Sequence, residues 1–128
     1  MQSKQKLKEK LELFLKHDDL GMTKDQYLRM VEQTGEEIDW ERCPPEIDDF
    51  PESITTALNI FHSLGVRVQG DIGYIGRDYT NLDILYDTYY VEEHEKDWIF
   101  ELLLFLDSRA IEESQKKMKS EMDKIKRK

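Results

Sequence analysis

Three histidines, one cysteine and a run of closely spaced glycines are the residues from which catalytic or ligand-binding chemistry would be built. His17, His62 and His94 lie far apart, and neither an HExxH nor a CxxC pair brings metal ligands to one helical face or turn. They read as ordinary surface or core histidines. Cys43 stands before Pro44-Pro45 among Glu41, Glu46, Asp48 and Asp49. Neighbouring carboxylates suppress the thiolate that a nucleophile needs, so an inert thiol is expected. A single cysteine forms no internal disulfide. The stretch Gly70-Asp71-Ile72-Gly73-Tyr74-Ile75-Gly76 lacks the GxxxxGK[ST] phosphate-loop pattern, so its glycines are assigned to a tight turn. Residues 46–49 lack the alternating ligands of a calcium loop. The basic run from Lys116 to Lys128 contains no aromatic residue on which a base could stack, and reads as a solvated helix end. No catalytic, cofactor-binding or metal-binding residue is assigned, no cofactor is expected, and the chain is not expected to be an enzyme.

The elements that would position any site are mostly helical. Leu7, Leu11 and Phe14, with Leu15 beside them, predict an amphipathic helix over 3–17. Thr23 is a candidate N-cap for a helix to Thr34, with Tyr27, Met30 and Val31 inward and Gly35 closing it. Residues 36–50 form an acidic connector broken by Pro44-Pro45. From Pro51 the spacing of Ile54, Ala57, Leu58, Phe61 and Leu64 predicts the clearest core helix. Residues 66–77 are the one β candidate, a short hairpin or ordered glycine-rich loop. Asp78 is the expected N-cap of a helix over 79–89, with Leu82, Leu85, Tyr86 and Tyr89 inward. A long last helix starts near Glu92, buried along Trp98, Ile99, Leu102, Leu103, Phe105 and Leu106. The expected class is therefore mainly α, with about five helices, one short hairpin and a long C-terminal helix. No repeat of solenoid period is visible.

Composition narrows the function class. The chain has 128 residues, 38% hydrophobic and 37% charged, with five Phe, six Tyr and two Trp. That is one domain's worth of core carrying solvated ends, too aromatic for a disordered chain. The net charge of −9 is uneven. Residues 1–21 hold five lysines against four acids. Residues 22–110 hold seven basic residues against twenty acids, and residues 111–128 hold seven against four. An acidic body disfavours general nucleic-acid binding and suits solubility or a basic protein partner. No apolar run approaches the ~20 residues that span a bilayer, and the lysine-broken N-terminal stretch does not read as a signal peptide. The expected organisation is an N-terminal amphipathic extension at 1–21, an acidic core at 22–110 and a basic helix end at 111–128. The expected location is the cytoplasm, with no membrane partner.

One segment carries a family likeness. Phe50-Pro51-Glu52 opens a helix that ends in Leu58-Asn59-Ile60-Phe61-His62-Ser63-Leu64-Gly65. A glycine-containing turn follows, then Ile75-Gly76-Arg77-Asp78-Tyr79-Thr80-Asn81-Leu82. Last comes Leu102-Leu103-Leu104-Phe105-Leu106-Asp107-Ser108-Arg109-Ala110. From Pro44 to Glu113 the chain resembles small phage proteins encoded among tail and virion-assembly genes, often regarded as tail assembly chaperones. Phe50 stands where those proteins more usually have Trp, and the basic tail is longer than theirs. The resemblance supplies no active-site residues. It implies a virion-morphogenesis role, host cytoplasm as the location and a tail structural protein as partner. The residues expected to bind that partner are Leu7, Leu11, Phe14 and Leu15 at one end and Ile111, Met118, Met122 and Ile125 at the other. The last group includes a seven-residue spacing that hints at a coiled coil, so a homo-oligomer stays open. Two other readings stand beside this one. One is an acidic inhibitor or DNA mimic of a host nucleic-acid enzyme, and the other is a minor virion component such as a connector or baseplate piece.

Overall fold

The computed structural model describes residues 3–19, 21–40 and 42–126, and the chain forms two compact units, Met1–Pro51 and Glu52–Lys128. This division differs from the one expected at 21/22 and 110/111. The first unit holds α1 (Lys4–Asp19), α2 (Lys24–Thr34) and a single 3-10 turn over Ile47–Asp49. Leu7 and Leu11 of α1 are buried, and the Phe14 ring meets Phe50 edge-on at 5.7 Å. Lys10 donates from Nζ to the Asp49 carbonyl at 2.8 Å and lies over the Phe50 ring. These contacts make α1 part of the same body as residues 47–50 and not a detached extension.

Thr23 caps α2 as its residue type predicts. Its hydroxyl accepts from the Gln26 N–H at 3.2 Å, and the Gln26 side chain accepts from the Thr23 N–H at 3.0 Å. This reciprocal pair satisfies two donors that the first turn leaves without partners. Tyr27, Val31 and Cys43 then bury together, with Met22 and Leu28 packed against them.

The second unit holds α3 (Glu52–Ser63), β1 (Gly65–Gln69), β2 (Gly73–Asp78), α4 (Leu82–Thr88) and α5 (Lys96–Lys126). A 3-10 turn over Glu93–Glu95 leads into α5. The fold class is thus mainly α, with five helices, one antiparallel hairpin and a long C-terminal helix. α3 packs on α5. Ile54, Ala57, Leu58, Ile60 and Phe61 are buried on the first, and Ile99, Leu102, Leu103 and Leu106 on the second. Trp98 and Phe105, expected inside, are half-buried, and the Trp98 indole N–H donates to Ser53 Oγ at 3.3 Å. Asp78 does not cap α4. Its Oδ1 accepts from the Thr80 N–H at 2.9 Å and from the Thr80 hydroxyl at 2.6 Å. That local turn delays the helix to Leu82, because the carboxylate is spent on the chain two residues on. Among the described residues no helix is long and apolar enough to cross a membrane.

β2 lies along α5, and two glycines set how closely. Gly76 has φ 136°, and a Cβ there would stand 3.4 Å from Asp107 Oδ2. Gly73 has φ 84°, and its Cβ would meet Met118 Sδ at 2.8 Å. The two positions differ in what yields. Met118 ends in a flexible thioether, whereas the Asp107 carboxylate is held by hydrogen bonds from several donors. Backbone strain at a position of positive φ costs about 1–3 kcal/mol. Gly76→Ala is therefore expected toward the upper end of that range and Gly73→Ala toward the lower. Urea unfolding of the two variants checks the order.

Candidate partner-binding surface

Asp107 is the one buried charged residue in the described core, at 7% exposure, and its hydrogen-bond donors come from β2 and the turn after it. The Tyr74 hydroxyl donates to Oδ1 at 2.5 Å. The Arg77 backbone N–H donates to Oδ2 at 3.0 Å, and the Tyr79 hydroxyl donates to the same oxygen at 2.7 Å. Burial alone would raise this carboxyl, but those three donors and the Arg77 charge outweigh it and hold it below the ordinary aspartate value. Both phenols are pushed well up, first by burial and then by the carboxylate they bond. The Arg77 guanidinium lies 4.2 Å from the Phe61 ring centroid and 5.5 Å from that of Tyr74. One carboxylate on α5 thus clamps β2, and α3 supplies the ring beneath the neighbouring cation.

What the clamp presents outward is β1. Gly65 pairs with Asp78, Val66 with Arg77 and Arg67 with Gly76. After an irregularity, Val68 pairs with Tyr74 and Gln69 with Gly73. The extra β2 residue, Ile75, makes this a bulge. Among the described residues β1 has no other strand neighbour, and all five of its residues are exposed. Val66 and Val68 share a face by the two-residue strand period and are 54% and 68% exposed. Ile72 at the hairpin tip is exposed as well. An open strand edge with apolar side chains is a template for pairing with another chain.

The residues expected to bind a partner fall in different places. Leu7 and Leu11 are buried, and Phe14 and Leu15 are half-buried, so α1 spends its apolar face inside the chain. Ile111 and Met118 are half-buried, with the Met118 sulfur beneath Gly73. Met122 and Ile125 are exposed, at 55% and 74%. A cleft of about 370 Å³ between the hairpin tip and this part of α5 is lined by Asp71, Ile72, Gln115, Met118, Lys119, Met122, Asp123 and Lys126. Val66 and Val68 were legible only as an alternating pair, and alternation by itself predicts one buried face, the reverse of what is found.

In the first unit a cleft of about 590 Å³ is bordered by Lys6, Lys10, Lys24, Trp40, Cys43 and Asp49, among others. Asp49 holds two of its lysines, Lys10 through the carbonyl and Lys24 through the carboxylate. Lys24 Nζ meets Asp49 Oδ2 at 3.3 Å, and Asp49 Oδ2 also accepts from the Glu46 N–H at 2.9 Å. The Cys43 thiol is raised by burial first, with the Asp49 and Glu46 carboxylates adding to it against Lys24. Its suppression thus comes chiefly from burial and only secondarily from the acidic neighbours. Glu92, His94 and Glu95 bring one ligand atom each within 4.8 Å of one another; Glu92 and His94 are exposed and Glu95 half-buried. Comparison with protein-family profiles, with curated proteins and with solved structures finds no match to this chain.

Proposed function

We propose that this chain is a non-catalytic binding protein of phage virion assembly, a tail assembly chaperone that receives an extended apolar segment of a tail structural protein on β1. The observation that carries the reading is the open edge of β1 with Val66 and Val68 outward, held in place by the Asp107 clamp. Added strands gain main-chain hydrogen bonds from such an edge and specificity from alternate side chains. The likeness of Pro44–Glu113 to phage tail-region proteins supports the choice of partner. A chaperone in this role works in the host cytoplasm, keeping a segment that would otherwise aggregate in a paired state.

Co-expression of the tagged chain with the tail proteins encoded beside it tests this. The intact chain is expected to co-purify with one of them. Val66→Glu combined with Val68→Glu is expected to weaken that complex at least about tenfold while leaving the unfolding midpoint nearly unchanged, because both side chains already face solvent. A complex of undiminished affinity, or none with any tail protein, contradicts the proposal. A chaperone is also absent from purified particles, whereas a connector or baseplate piece is found there by mass spectrometry.

A further inference from the structure

A second line of exposed residues runs down α5 beside the hairpin. Leu104 and Met122 are eighteen residues apart, five turns at 3.6 residues each, so they project along one line of the helix. Ser108 and Gln115 fall on that line and are exposed, and Ile111 is half-buried. Leu104 is 46% exposed, close to the value for Met122. The hairpin's glycines meet the adjacent line, at Asp107, Ser114 and Met118, while its tip borders Gln115 and Met122 across the cleft and leaves both exposed. Phe100 and Ile125, also exposed, lie at the two ends of that adjacent line, eighteen residues from Met118 and Asp107 respectively, outside the stretch the glycines contact.

We propose that a second copy of this chain docks on that seam, with the two α5 helices antiparallel about a two-fold axis near Glu113. In this register Leu104 meets the second copy's Met122, Phe100 meets its Ile125, and Ile111 lies beside its Gln115. Each contact occurs twice, as a two-fold interface requires. Charge sets the direction. Glu92, Glu93, Glu95 and Asp97 crowd the start of the helix, while Lys116, Lys117, Lys119, Lys124 and Lys126 crowd its end. In the antiparallel register Lys126 of each copy stands opposite Phe100 of the other, within one turn of its Asp97 and Glu101. Parallel docking would set like charge on like. Met122 is unbranched and adapts to an opposing leucine, and the small Ser108 lets the helices approach. This seam does not involve β1, so it stands or falls separately from the choice of tail partner.

The full chain should sediment at twice its monomer mass and dissociate on dilution. Leu104→Glu alone and Met122→Lys alone should each weaken the dimer at least about tenfold. The double variant should recover to within about threefold of the parent, because the two introduced charges face each other across the axis. Far-UV circular dichroism establishes that each variant is folded before it is scored. A chain that is monomeric at every concentration overturns the proposal. So does a double variant no better than its parents, which would mean that residues 104 and 122 do not meet. Binding of the monomer to anionic lipid vesicles through the same residues would also overturn it, by assigning the seam to a membrane surface.

Discussion

Asp107→Ala is expected to destabilise the second unit by about 3–5 kcal/mol, the size seen when one member of a buried charged network is removed. Three donors lose their acceptor at once: the Tyr74 and Tyr79 hydroxyls and the Arg77 N–H. Hydrogen bonds to a charged group contribute about 1.5–3 kcal/mol each, and a buried donor left without a partner costs about 1–3. Asp107→Asn should be milder, about 1–2 kcal/mol, because the amide oxygen still serves the two donors on the Oδ2 side. The charge also gives the loss a pH signature. The folded carboxyl lies below its unfolded value of about 3.9, so its contribution is complete above about pH 4 and disappears as pH falls through the folded value. The tyrosines act at the other limb. In the folded chain they hold their protons where unfolded phenols ionise, so stability falls as pH rises above about 10. Tyr79→Phe should flatten the alkaline limb, and Asp107→Asn the acid one. Chemical denaturation across pH, with and without each substitution, measures both slopes.

Leu102→Ala is expected to cost about 2–5 kcal/mol, since it empties a site with no solvent exposure where α5 meets α3. Ile84→Ala on α4 removes comparable apolar bulk from a side chain that is mostly exposed, and should fall within about 0.5 kcal/mol of the parent. The pair separates burial from hydrophobicity. If both substitutions cost the same, α5 does not bury the face assigned to it. The comparison bears on function because the same helix carries the core on one side and the clamp and seam on others. A helix whose buried side is misassigned would present the wrong line of residues to a second copy.

Helical periodicity made most of the helices readable, because burying a stripe at 3.6-residue spacing leaves a direct imprint on residue type. Thr23 and Gly35 marked the ends of α2 for the same local reason. Long-range relations were not readable. Asp107 is one acid among many in sequence, and nothing local shows that two phenols and an amide from residues some thirty positions earlier will converge on it. Gly76, Arg77, Tyr79 and Asp107 lie in two stretches some thirty residues apart, and in space they form the clamp. The apolar face of α1 was legible as amphipathic, but amphipathicity cannot say whether the covering surface is the chain's own or a partner's. Here Leu7 and Leu11 are covered within the chain, while Val66 and Val68 are bare.

Amide hydrogen exchange of the chain, alone and in complex with a tail structural protein, tests the central claim most directly. Strand addition at β1 predicts slowed exchange in the peptide spanning Gly65–Gln69, with the amides that face away from β2 gaining protection and α1 unchanged. Unchanged exchange across β1 in a stable complex, with new protection elsewhere, would contradict it.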